Sequence, residues 1–187
     1  MTPSRKMLFT GLFIALTTLG GMVRIPFFPV PMTLQTVFVY LSGTLLGGRQ
    51  GAVCQGLFLM LGLAGLPLFT TGGGLRTAVQ PTFGYLLGFP VAAGLSGRLV
   101  RRSGAEDRAG RIAAALIPAA LVLFALGLGY LAVYTRFIVG RPFDPMHLLW
   151  TGFILFLPAE TVKLFLTGVL TEKLRPLIKG TDRPVEH

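Results

Sequence analysis

The sequence predicts an all-α integral membrane protein with six transmembrane helices. Of its 187 residues, 52% are hydrophobic and only 13% are charged, and the mean hydropathy is +0.71. Soluble domains carry about 25% charged residues. The 25 glycines and 13 prolines separate long apolar runs, so they do not indicate a disordered chain. Residues 1–187 are therefore expected to form a single membrane domain.

Six apolar segments account for the predicted crossings. The first follows Arg5 and Lys6, but no A-x-A cleavage site precedes Arg24, so we expect a retained helix rather than a signal peptide. A crossing needs about 20 residues, so the second, third and fourth segments are short unless flanking residues extend them. The helices are expected near residues 7–23, 34–47, 52–66, 83–97, 112–134 and 148–170.

The basic residues predict that both termini are cytoplasmic. Six crossings place both termini on one side, which receives twelve of the 17 Lys and Arg residues, while the other side receives four and Lys163 lies within the last helix. The hydrophilic loop 98–111 is then cytoplasmic, and loops 24–33, 67–82 and 135–147 are external. Topology also explains the net charge of +10. Binding of specific lipids is the alternative, and no nucleic-acid partner is expected.

Two ionisable residues of the last helix lie inside an apolar run. Glu160 and Lys163 are three positions apart, so they share a helix face, and each costs roughly 2.5 to 3.5 kcal/mol at the centre of a membrane helix. A carboxylate accepts hydrogen bonds and an ammonium donates them, so the pair suits an amide, lactam or ureido group. An ion pair that only locks the bundle is the alternative. Pro158 is expected to bend the helix near Ile154 and open a cavity.

The external loop after the third helix is a second candidate site. Glycines 72–74 permit close backbone approach, and the guanidinium of Arg76 could bind a carboxylate through two hydrogen bonds. Gln80 follows in the same loop, and Thr82 and Tyr85 open the next helix, where a ring can stack on a ligand. A flexible loop without a ligand, and an interfacial anchor for Tyr85, are the alternatives.

The first external loop is expected to form a lid. Its prolines hold residues 26–33 extended, and Phe27, Phe28, Val30 and Met32 give the segment an apolar lining. A stiff interfacial loop is the alternative. Thr33 and Gln35, with Thr36, are placed to reach the same cavity.

Motifs for catalysis are missing from the sequence. It contains no G-x-x-x-x-G-K-[ST] phosphate loop, no G-x-S-x-G elbow, and only two histidines, His147 and His187. An enzyme is therefore not expected, nor are a metal or a cofactor.

Several motifs in combination resemble the BioY family, the biotin-binding S components of energy-coupling factor (ECF) transporters. The resemblance covers about residues 7–172. The matching segments are Pro29-Val30-Pro31-Met32-Thr33-Leu34-Gln35-Thr36, Gly62-Leu63-Ala64-Gly65-Leu66-Pro67-Leu68-Phe69, Gly72-Gly73-Gly74, Pro81-Thr82-Phe83-Gly84-Tyr85 and Pro158-Ala159-Glu160-Thr161-Val162-Lys163.

The resemblance implies an S-component bundle that takes up biotin across the cytoplasmic (inner) membrane of a prokaryote. Partners would be a transmembrane T subunit and two cytoplasmic ATPases, which alone use ATP. Another vitamin, or a gradient-driven carrier using Glu160 and Lys163, are the alternatives.

The resemblance also implies roles for individual residues. The family carries Asp-x-x-Lys in its last helix to contact the biotin head group, and the matching positions here are Glu160 and Lys163. Arg76 would bind the valerate carboxylate, while Tyr85 and the segment from Pro29 to Gln35 would line and close the pocket. The A-x-x-x-A motif for docking on the T subunit appears here as Gly11-x-x-x-Ala15, for which internal packing is the alternative.

Overall fold

Helices make up most of the chain. The computed structural model describes residues 2–26, 30–104, 108–140, 142 and 144–180. The helices are α1 Pro3–Met22, α2 Gln35–Leu46, α3 Gly48–Leu63, α4 Phe83–Arg102, α5 Ala109–Val133, α6 Pro145–Gly152 and α7 Leu157–Gly180. Two short strands, β1 Arg24–Ile25 and β2 Met32–Thr33, pair antiparallel with Arg24 opposite Thr33.

Three helical segments within the described ranges are long and apolar enough to cross a membrane. They are Phe83–Arg102, Ala109–Ile138 and Pro145–Ile178. The second of these includes α5 and a short π-helix, Tyr134–Ile138, and the third includes both α6 and α7. The apolar helix α2 is shorter, at 12 residues.

The helix expected over residues 148–170 is interrupted in the structure. α6 ends at Gly152, Phe153 leaves the helical conformation, and a 3₁₀ turn over Ile154–Phe156 leads into α7. Pro158 is the second residue of α7, where its missing N–H needs no helical partner. The bend therefore precedes Pro158, and it places Glu160 in the first turn of α7.

The loop expected at 98–111 is mostly helical. α4 continues to Arg102 and α5 already begins at Ala109. At the same end of the bundle a single residue, Gly47, joins α2 to α3 with a φ of +90°, which glycine adopts without steric cost. α3 consequently begins at Gly48, earlier than the predicted start at 52.

α4 lies in the middle of the bundle and contacts α2, α3 and α5, while α7 packs on α2 and α5. Small residues bring the backbones together: a Cβ on Gly43 of α2 would collide with the carbonyl oxygen of Ala93 of α4. The core beside this contact includes Phe58 and Phe89, whose ring centroids are 6.1 Å apart. This packing holds α2, α4, α5 and α7 around a cavity at the hairpin end of the bundle.

Gly11 and Ala15 of α1 point away from the bundle. Both are exposed, and no atom lies within 4 Å of a Cβ built on Gly11. Neighbouring side chains on the same surface, Leu8 and Leu12, are 71% and 48% exposed. The structure therefore does not use Gly11 for internal packing.

Candidate ligand-binding site

A cavity opens at the end of the bundle that carries the β1–β2 hairpin. It contains about 570 Å³ of space not filled by atoms, counting the part that opens to solvent. Its lining residues are Val30, Pro31, Thr33, Gln35, Thr36, Thr70, Thr82, Tyr85, Leu86, Phe89, Leu123, Phe124, Phe156, Glu160 and Lys163.

The two predicted ionisable residues meet at this cavity. The Lys163 ammonium lies 2.5 Å from Oε2 of Glu160, and the two residues are only 6% and 3% exposed. Burial of either charge alone would be costly, so each group depends on the opposite charge and on the surrounding hydrogen bonds.

Helix α2 supplies hydroxyl groups to both members of the pair. The Tyr40 hydroxyl donates to Oε1 of Glu160 at 2.7 Å, and the Lys163 ammonium donates to Oγ1 of Thr36 at 2.8 Å. Two further contacts are long: Lys163 to the carbonyl of Thr33 at 3.4 Å, and the Thr36 hydroxyl to Glu160 at 3.5 Å. These long bonds are the ones that a ligand could replace at least cost.

Tyr40 is a member of the site that the sequence analysis missed. A signal was present, since Thr36, Tyr40 and Thr44 recur at four-residue spacing in a mostly apolar helix and so share one face. All three face α7, where Thr44 bonds to Thr171 at 2.8 Å. The polar face of α2 is thus matched by polar groups along α7.

Gln35 contributes an amide to the cavity. Its side chain is 4% exposed, and its Nε2 has no hydrogen-bond partner within the part of the chain that the structure describes. Its Oε1 accepts a long hydrogen bond, 3.5 Å, from Thr33. A buried donor without an acceptor is destabilising, so this amide favours a ligand oxygen beside it.

Apart from Thr70 and Thr82, the rest of the cavity is apolar and aromatic. Tyr85 and Phe124 make an edge-to-face contact, with ring centroids 6.0 Å apart, and Phe124 also contacts Phe153 and Phe156. The Tyr85 hydroxyl donates to the carbonyl of Gly152 at 2.8 Å. Tyr85 therefore points into the bundle and is not an interfacial anchor.

The segment expected to form the lid follows strand β1 and ends in strand β2. β1 and β2 pair, Val30 is buried at 6% exposure, and Val30, Pro31 and Thr33 line the cavity. Phe27, Phe28 and Pro29, also expected to belong to the lid, lie outside the described residues.

The structure does not bring Arg76 and Gln80 to the cavity. A short 3₁₀ helix, Leu75–Val79, turns Thr77 inward and leaves Arg76 exposed. The backbone N–H of Gln80 donates to the backbone carbonyl of Thr77 at 3.2 Å. Thr82, by contrast, does line the cavity, so the predicted role of Arg76 stays a prediction that this geometry does not support.

A different arginine is connected to the cavity wall. Nη1 of Arg24 donates to the carbonyl oxygen of Thr70 at 3.1 Å, and Thr70 lines the cavity. This bond connects the hairpin to the loop after α3. The sequence analysis counted Arg24 only as an external charge.

Fold and site together define a multi-pass helical membrane protein with a partly enclosed cavity for a small ligand. The same fold occurs in a crystal structure of the S-component for biotin from an ECF-type ABC transporter, with a TM-score of 0.81, 24% identity and coverage of 94% of each chain. The chain belongs to the BioY family, whose sequence model matches residues 1–180. The predicted fold class and family are therefore confirmed.

Curated relatives agree with this membership. A probable biotin transporter BioY of Lysinibacillus sphaericus is 36% identical over 175 residues, covering 94% of this chain and 89% of the relative. The biotin transporter BioY of Thermotoga maritima is 32% identical over 174 residues, covering 92% and 97%. Both relatives are named as transporters, not as enzymes.

Proposed function

We propose that this chain captures biotin in the cavity as the substrate-specific subunit of an ECF-type transporter. The observation that carries the proposal is the buried pair of Glu160 and Lys163 at the polar end of a mostly apolar cavity. Family membership and the names of the relatives support the same ligand.

The proposed pose follows from complementary chemistry. Biotin has a ureido ring with two N–H donors and one carbonyl oxygen, a bicyclic apolar body and a carboxylate tail. Glu160 would accept an N–H, and Lys163 would donate to the carbonyl as its long bond to Thr33 is released. The bicycle would pack on Tyr85 and Phe124, leaving the tail toward Thr70 and Thr82.

Transport would require partners. We propose a transmembrane T subunit and two cytoplasmic ATPases, with Gly11 and Ala15 on the exposed face of α1 as the docking contact, because small residues permit close helix approach. Both termini would be cytoplasmic, in the inner membrane of a prokaryote, as the distribution of basic residues predicts.

Equilibrium binding of radiolabelled biotin to the purified, detergent-solubilised chain tests the ligand. We expect binding that excess unlabelled biotin abolishes and that excess thiamine or riboflavin leaves unchanged. Displacement by either vitamin, or no biotin binding by a chain that elutes as a folded monodisperse species, would contradict the proposal. Biotin uptake that is driven by a proton gradient in cells without the ATPase partners would instead support a gradient-driven carrier that uses Glu160 and Lys163.

A further inference from the structure

A second cavity lies at the opposite end of the bundle from the first. It contains about 1070 Å³ of space, counting the part that opens to solvent. Helices α2, α3, α4 and α7 border it through Thr44, Leu45, Leu46, Gly47, Gly48, Gly97, Arg98, Arg101, Arg102 and Arg175. We call this cavity the arginine groove. Four of its ten lining residues are arginines and none is acidic.

Close backbone packing fixes the part of α4 that carries Arg98, Arg101 and Arg102. α4 crosses the turn between α2 and α3 so closely that a Cβ on Gly97 would collide with the carbonyl oxygen of Gly43 and the amide nitrogen of Gly48. The Arg98 side chain lies over the same turn, with its Cγ 3.1 Å from a Cβ built on Gly48. The groove is therefore a fixed feature of the helix packing.

The charges of Arg98, Arg101 and Arg102 are not neutralised by the protein groups that the structure describes. Among these residues no carboxylate forms an ion pair with Arg98, Arg101 or Arg102, and all three arginines are exposed. The first turn of α3, which begins at Gly48, has neither an acidic residue nor a side-chain cap, so its N–H groups add partial positive charge. Guanidinium groups that line one groove can bind a phosphate group through paired hydrogen bonds.

The surroundings indicate a lipid as the source of the phosphate. The groove lies where the membrane-crossing helix α4 ends, and Leu45 and Leu46 give it an apolar wall. A basic pocket between membrane helices suits a lipid headgroup, since the acyl chains continue along the neighbouring apolar surface. We propose that the arginine groove binds the phosphate headgroup of an anionic phospholipid. The proposal is independent of which ligand occupies the first cavity.

General membrane topology explains why this end is basic, but it does not explain why several arginines line one groove. Arg108 and Arg111 lie on the same side in the predicted topology and are exposed, yet they are not part of the lining. They provide a matched control, because replacing two arginines at either place changes the net charge equally.

Native mass spectrometry of the full chain with phosphatidylglycerol or phosphatidylcholine tests the proposal. We expect the wild type to retain phosphatidylglycerol in preference to phosphatidylcholine. The double variant Arg98→Gln with Arg101→Gln should bind phosphatidylglycerol about thirtyfold more weakly, because two cationic contacts are lost. The double variant Arg108→Gln with Arg111→Gln should bind as the wild type does. If the first pair fails to fold, by elution volume and circular dichroism, Arg101→Gln alone should weaken binding about fivefold.

Three results would overturn the proposal. Equal weakening in both double variants would show that the whole surface attracts anionic lipid without a site. Equal retention of phosphatidylcholine would show that the headgroup charge is not recognised. Displacement of phosphatidylglycerol by inorganic phosphate at a concentration equal to that of the lipid would show that the groove takes free phosphate and not lipid.

Discussion

The Tyr40 hydroxyl donates a 2.7 Å hydrogen bond to the Glu160 carboxylate, joining residues 120 positions apart in the sequence. Both side chains are buried, at 0% and 3% exposure. The bond occupies Oε1 and leaves Oε2 to face Lys163 and Thr36. Tyr40 therefore determines which carboxylate oxygen is directed toward Lys163.

Replacing Tyr40 with Phe should lower both stability and affinity. The change removes a buried hydrogen bond to a charged group, worth about 1.5 to 3 kcal/mol, while keeping the ring. Denaturant titration in detergent measures the free energy of unfolding, and equilibrium binding measures the affinity for biotin. Tyr134→Phe is the control, since no hydrogen bond of the Tyr134 hydroxyl is present within the described residues; a similar loss in both variants would contradict the assigned role.

The charge at position 160 should matter more than the length of the side chain. Glu160→Gln leaves the Lys163 ammonium buried without its counter-charge, and we expect biotin affinity to fall by at least about a hundredfold. Glu160→Asp keeps the charge one methylene further back and should retain affinity within about tenfold. Titration calorimetry measures the biotin affinity of both variants. Equal losses of affinity would mean that the position of the side chain, and not its charge, determines binding.

Space at Gly127 is required for the Tyr85 ring. A Cβ at Gly127 would collide with three ring atoms of Tyr85, so Gly127→Ala should push the ring toward the cavity and break its bond to Gly152. We expect about a tenfold loss of biotin affinity, as is typical of overpacking. Gly129→Ala, two residues along the same helix, meets no atom within 4 Å and should leave affinity unchanged. Equal affinities for both variants would show that the ring position is irrelevant.

The two external arginines should differ in effect. Arg24→Ala removes the 3.1 Å bond to Thr70 in the cavity wall and should weaken biotin binding about fivefold, the effect of one hydrogen bond. Arg76→Ala should have an effect smaller than about twofold, because Arg76 is exposed outside the cavity. Equilibrium binding compares them; a loss of more than tenfold in Arg76→Ala alone would restore Arg76 as the partner of the carboxylate.

Hydropathy predicted the helical architecture better than the helix ends. Hydropathy gave one continuous segment over 148–170, and Pro158 predicted a bend near Ile154. Neither feature predicted that the helix ends at Gly152 and continues only after a 3₁₀ turn over Ile154–Phe156. The loop expected at 98–111 contains good helix formers, and packing of α4 and α5 extends both helices into it. These ends are determined by tertiary contacts, which a hydropathy window does not include.

The site was predictable where charge made it conspicuous. Glu160 and Lys163 are rare residue types for an apolar segment, so their position alone indicated a polar site. Tyr40 gave a weaker signal, because tyrosine in a membrane helix is compatible with many roles. The position of Arg76 depends on backbone turns at Gly72 and Gly74, with φ of +106° and +93°, and glycine permits too many conformations for the sequence to determine the direction of the chain.

In the proposed pose, Lys163 recognises the ureido head of biotin and not its carboxylate. Titration calorimetry of biotin and biotinamide, which lacks the negative charge, into wild type and Lys163→Met forms a cycle that tests this claim directly. If Lys163 contacts the head, the variant should lose at least about thirtyfold for both ligands and the two changes should be additive. If the variant instead loses affinity for biotin alone and binds biotinamide as the wild type does, Lys163 pairs with the carboxylate and the proposed orientation of biotin is wrong.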